Sequence, residues 1–146
     1  MDFNNLCKHM VRHPEKLQFL NPGAITTFKR IGLTLPEHLI MRMEPKSCYS
    51  NAAKVAEYIS YSTDFDVYYA EGITSVFNQI PIHHAFVIIN VEGINWILDP
   101  TMEYALEKSE EDIFKEQYVL VDFWPASEIH HLMLAHQKWG PWSPEL

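Results

Sequence analysis

The chain has 146 residues, 19 acidic against 11 basic, a net charge of −8, and 47% apolar against 21% charged residues. That length suits one domain, spanning residues 1–146, whose core needs no disulfide or metal to hold it. The acidic balance argues against nucleic acid and anionic membranes as partners, because the long-range field repels phosphate. Two cysteines, Cys7 and Cys48, cannot build the dense disulfide framework of a small secreted domain. The N-terminus carries no basic stretch followed by an apolar one, and no apolar run approaches the roughly 18–20 residues of a membrane helix. The expectation is a cytoplasmic protein with free thiols.

Phe3, Leu6, Cys7 and Met10 recur at helical spacing and predict a helix over 3–13, stopped at His13-Pro14. Cys7 then reads as a small, inert core residue on its inner face. Asn21-Pro22-Gly23 signals a turn, and a second helix is expected from Ala24 to Ile31, closed by Gly32. Pro36 is placed to start a helical turn through Met43.

The strongest helical pattern begins at Ser47, a residue type suited to an N-cap. Tyr49, Ala52, Ala53 and Ala56 fall at i, i+3, i+4 and i+7, with Val55 and Ile59 extending the face. Three alanines there allow the helix to approach a sheet closely. Strands are expected over 66–73, 85–91 and 94–98, the last two joined by Glu92-Gly93 as a two-residue hairpin turn. The segment 102–117 holds Glu107, Lys108, Glu110, Glu111 and Asp112, which read as a solvated helix face. Tyr118 to Phe123 is a further strand, and Pro125-Ala126-Ser127 opens a helix to about residue 138. The fold class is α+β, with N-terminal helices followed by an antiparallel sheet.

Chemistry is expected at Cys48. A cysteine at a helix start gains from the N-terminal dipole, and the first-turn amides can hold an oxyanion. The hairpin supplies its partners. With Glu92-Gly93 as the turn, paired positions sum to 185, so Asp99 faces Phe86 and His84 lies one diagonal step away on the same sheet face. The Asp99 carboxylate can then hold one ring nitrogen of His84 while the other points at Cys48. His83 projects to the opposite face and reads as a surface or packing residue. The remaining histidines lack metal-ligand spacing, and neither metal nor cofactor is expected.

Three further residues are candidates for substrate binding or oxyanion support. Tyr49 follows the nucleophile directly. Asn51 either bonds within the site or simply occupies the first helical turn. Glu71 either lines the cleft or ends its strand in solvent, the second being the plainer reading. Trp96 is expected to face the core on the side away from His84. Trp124, Trp139 and Trp142 are available to an aromatic groove or to packing.

The series Cys48-Tyr49-Ser50-Asn51-Ala52, Tyr69-Ala70-Glu71-Gly72, His84-Ala85-Phe86 and Asp99-Pro100-Thr101 resembles small papain-like and transglutaminase-like Cys-His-Asp proteins of phages, plasmids and bacteria. The resemblance runs from Lys46 to Thr101. It implies a papain-like core with Cys48 as nucleophile, His84 as base and Asp99 as its orienting partner. The glutamine that papain-type peptidases carry upstream of the cysteine is absent, Lys46 and Ser47 standing there instead.

These residues point to an enzyme acting on a carboxamide or isopeptide bond through a thioester, as a hydrolase, deamidase or transglutaminase. A protein or peptide is the expected substrate, with modification of a host protein as one setting. The alternative is a binding or inhibitory protein that keeps the scaffold without turnover.

Overall fold

The computed structural model describes residues 2–76 and 80–146. Its centre is a five-stranded antiparallel sheet in the order β1-β5-β2-β3-β4: β1 (Gln18–Phe19), β2 (Asp66–Val76), β3 (Ile80–Val91), β4 (Ile94–Leu98) and β5 (Tyr118–Pro125). Strands β2 and β3 pair from Asp66↔Asn90 to Val76↔Ile80. Glu92 and Gly93 turn the chain from β3 into β4 with φ of 52° and 85°, the left-handed pair that a two-residue hairpin turn requires. The expected register follows, from Val91↔Ile94 to Val87↔Leu98.

Helix α4 (Cys48–Ser62) lies against one sheet face. Ala52, Ala53, Val55, Ala56 and Ile59 are buried on it, and they meet Tyr69, Ala85, Val87, Ile89 and Leu98. Alternation along β3 sends Phe86 and Ile88 to the other face, where they join Ala70, Ile97 and Leu120 beneath Met102 and Ile113. Trp96 packs on the α4 side, as its parity with Leu98 dictates. A third cluster sets Phe3 and Cys7 of α1 (Phe3–Lys8) against Ile73 and Val119. Cys7 is fully buried, and burial pushes its thiol up to about 11.

Several elements differ from the sequence reading for identifiable reasons. Helix α1 stops at Lys8, because the His9 and Met10 N–H groups turn back to the Leu6 and Cys7 carbonyls in i→i−3 bonds. The helix expected over 24–31 is divided into a 3₁₀ turn at Pro22–Ala24 and α2 at Phe28–Ile31. Between them Ile25 bridges to Ile97 and the Thr26 N–H donates to the Ile97 carbonyl at 3.0 Å, so tertiary pairing holds this stretch extended. Thr27 then caps α2 by accepting from the Arg30 N–H. Helix α3 covers Glu37–Met41. Strand β1 is two residues long, too short for periodicity to reveal.

The segment after β4 forms a π-helical turn at Thr101–Ala105 and then α5 at Glu110–Phe114. Glu107, Glu111 and Asp112 are exposed as expected, but Glu110 accepts from the Thr27 hydroxyl at 2.7 Å. Strand β5 continues through Pro125, and helix α6 (Ile129–His136) starts after a 3₁₀ turn. Among the described residues no helix is long and apolar enough to cross a membrane.

Candidate active site

Cys48 is the first residue of α4, with Ser47 at the N-cap position. The Ser47 side chain makes no capping bond, and the Ser50 hydroxyl donates backwards to the Ser47 carbonyl at 3.3 Å instead. No side chain takes up the first-turn N–H groups among the described residues. The thiol is half-buried, which leaves it within reach of a ligand.

Strand β4 ends at Leu98, opposite Val87, so the part of β3 that carries His84 runs on beyond its partner. Asp99 comes next in the chain, and its carboxylate meets the His84 ring, Nε2 to Oδ2, at 2.8 Å. Both side chains are almost wholly buried. The hairpin parity thus brings this pair together as expected. Asn51 ties the first turn of α4 to the same region: its Nδ2 donates to the Thr101 hydroxyl at 3.0 Å and to the Glu44 carbonyl at 2.8 Å.

The Asp99 carboxylate has two more donors. The Tyr118 hydroxyl donates to Oδ2 at 2.6 Å and the Met102 N–H to Oδ1 at 3.1 Å. Because an ionised carboxylate only accepts, His84 donates from Nε2, and Nδ1 is the nitrogen left for Cys48. Burial by itself lowers the His84 pKa, but the Asp99 charge and hydrogen bond outweigh it, and a hydrogen bond with the Cys48 side chain adds to them. The ring is held protonated up to about 10. Tyr118→Phe keeps the ring contact with Phe86, whose centroid lies 5.0 Å away, and deletes one donor to Asp99. The expected cost is about 1–3 kcal/mol in urea unfolding, with His84 titrating still higher by NMR because the Asp99 charge is then shared among fewer donors.

Two of the three supporting candidates, Asn51 and Glu71, are engaged in structural bonds. Asn51 is buried, and both of its amide hydrogens are committed, so it has no donor left for an oxyanion. Glu71 does not end its strand in solvent: it is fully buried. Its Oε1 accepts from the Ser143 N–H at 2.7 Å and its Oε2 from the Tyr69 hydroxyl at 2.5 Å. The Trp142 N–H reaches both oxygens, at 2.9 and 2.8 Å. Burial raises the Glu71 pKa, against the lowering effect of these bonds. The carboxylate therefore anchors the C-terminal segment. Gly140 of that segment passes so close that a Cβ there would strike Glu71 Oε2 and the Tyr69 hydroxyl and come within 3.0 Å of the Tyr49 ring.

Tyr49 is half-buried. Its hydroxyl pKa is raised by burial first and then by the charges of Cys48 and Glu71. Trp142 is buried on Tyr69, with ring centroids 4.9 Å apart, and Trp124 packs on both rings. Trp139 is half-buried, with the Lys54 ammonium 5.4 Å from its ring.

His83 is exposed and bonds through Nε2 to the Met10 carbonyl. His13 pairs with Glu145 near the chain end. Among the described residues no group of three or more His, Cys, Asp or Glu could hold a metal ion. Sequence reasoning missed Tyr118, which looked like the start of an ordinary strand, and missed the tail anchorage. The one signal for the latter is Glu71 itself, an acidic residue set between apolar strand positions. Compared with protein-family models, curated proteins and solved structures, the chain matches none.

Proposed function

We propose that this chain is a cysteine-nucleophile enzyme on a papain-like or transglutaminase-like core. It acts on a carboxamide or isopeptide bond of a protein or peptide. The observation that carries this reading is a buried His84–Asp99 pair whose remaining ring nitrogen is left for a half-exposed Cys48. The reactive atom is accessible while the groups that tune it are shielded from water, where electrostatic interactions are strongest.

In the first half of the reaction the Cys48 sulfur bonds to the carbonyl carbon, its proton having passed to His84 Nδ1. The carbonyl oxygen becomes an oxyanion, and the first-turn amides of α4 are the donors placed to hold it. His84 then gives the proton to the leaving nitrogen as the C–N bond breaks, leaving a thioester. In the second half, water or an amine loses a proton to His84 and bonds to the same carbon, and the C–S bond breaks to restore the thiol. Hydrolysis, deamidation and transamidation share these steps and differ in leaving group and acceptor. A cytoplasmic setting keeps the thiol reduced.

Iodoacetamide at neutral pH tests the nucleophile without knowledge of the substrate. Cys48 is expected to alkylate on the order of 100-fold faster than Cys7. Peptide mass spectrometry separates the two, and Cys7 is both buried and pushed up to about 11. His84→Ala should slow Cys48 at least about tenfold and leave Cys7 unchanged. Equal rates at the two thiols, or no response to the substitution, would sink the proposal and favour a binding protein on the same scaffold.

A further inference from the structure

The sheet face turned away from α4 holds a cavity of about 490 Å³, within the ordinary range of ligand sites. None of its lining residues belongs to the Cys48 site. Its floor is Ile88, Ile97 and Leu120, all buried, and its apolar wall is the Tyr68–Phe123 pair, packed edge to face at 5.7 Å. Phe123 is 52% exposed at the rim. The lining takes residues from every strand in the order β1-β5-β2-β3-β4, so the groove crosses the strands. Four strand spacings of about 4.8 Å make its run roughly 19 Å.

No lining residue is charged, in a chain with a net charge of −8. Apart from the Tyr68 hydroxyl, the polar side-chain groups are amides at the two ends: Gln18 and Asn21 beside β1, Asn90 and Asn95 beside β4. Their acceptors are largely engaged. Asn21 Oδ1 accepts from the Gly23 N–H, Asn90 Oδ1 from the Gly93 N–H, and Asn95 Oδ1 from Asn90 Nδ2. The NH₂ groups of Asn21 and Asn95 and the whole Gln18 amide have no partner among the described residues. The groove therefore offers N–H donors at both ends of an apolar floor.

We propose that this groove binds an extended, uncharged peptide segment of about five residues, which at 3.3–3.6 Å each spans its length. Backbone carbonyls of the peptide accept from the end amides, and alternate apolar side chains enter the floor. A plain hydrocarbon chain would cover the floor and leave the amides unanswered. An ionised ligand would be desolvated with no opposite charge in the lining to answer it. The site is independent of the reaction proposed for Cys48.

The test titrates the ¹⁵N-labelled full chain with acetyl-Val-Ala-Leu-Ala-Val-amide. Saturable shifts are expected at the side-chain NH₂ signals of Asn21 and Asn95 and at the backbone of Ile88 and Leu120. Asn95→Asp and Gln18→Glu turn donors into acceptors and should weaken binding about tenfold or more while leaving the melting temperature unchanged. Asp at position 95 can still accept from Asn90, so the hairpin keeps its bond. The proposal is overturned by any of four results: no saturable shift, the same shifts from decanol, equal binding of a peptide with Glu or Lys in place of its central leucine, or shifts centred on the neighbours of Cys48.

Discussion

Glu71→Ala is expected to lower the unfolding free energy by about 3–5 kcal/mol and to release the C-terminal segment from the sheet. Three donors converge on this carboxylate: the Trp142 and Ser143 N–H groups and the Tyr69 hydroxyl. In the alanine variant they are stranded in a region where Trp142 and Ser143 are nearly inaccessible, and each unsatisfied group costs about 1–3 kcal/mol. Part of that loss is offset, since the carboxylate itself is costly to bury. Glu71→Gln separates the two effects by keeping an acceptor and removing the charge. The folded-state pKa of Glu71 is raised, so its titration contributes stability that is fully present below its unfolded value and lost as pH rises through the folded one. The Gln variant should therefore gain on the natural protein as pH rises from 4 towards neutrality. Urea unfolding read by tryptophan fluorescence measures both variants, and hydrogen exchange at the Trp142 and Ser143 amides reports the tail directly. An alanine variant within about 1 kcal/mol of the natural protein, with those amides still protected, would show that the tail is held elsewhere.

The contrast between Glu71 and the His84–Asp99 pair explains what could be read from the sequence. A two-residue turn and period-two alternation determine which positions of β3 and β4 share a face, so residues 15 apart in sequence were brought together by local rules alone. The α4 helix was legible for the same reason, its buried face recurring at i, i+3 and i+4. Glu71 and Trp142 are 71 residues apart, and Asp99 and Tyr118 are joined by pairing through strands whose order no local pattern encodes. The stretch at Ile25 shows the opposite failure. Its helical pattern yielded to a bridge with Ile97, because a tertiary partner outweighs a propensity of a few tenths of a kcal/mol per residue.

Asp99→Asn should have the larger chemical effect, and a count of donors and acceptors gives the reason. The carboxylate accepts from His84, Tyr118 and Met102, whereas asparagine has a single oxygen. If that oxygen stays with the Met102 N–H, its NH₂ faces His84 Nε2, which must then accept. The ring proton moves to Nδ1, the nitrogen facing Cys48, and the base is lost. If the oxygen turns to His84 instead, the NH₂ opposes the Met102 N–H, donor against donor. The negative charge that holds His84 protonated up to about 10 is gone in both cases, and burial then drives the ring neutral. Cys48 alkylation at neutral pH should fall on the order of 100-fold, and imidazole NMR should place His84 below its ordinary value near 6.5. The stability change carries a sign that checks the same assignment. A raised His84 pKa contributes stability that is complete below about 6.5 and lost as pH rises through about 10. The deficit of the Asn variant in urea unfolding should thus be greatest below about 6.5 and narrow steadily towards pH 10. A deficit that does not vary with pH would mean that Asp99 holds the loop at Met102 and leaves His84 untuned.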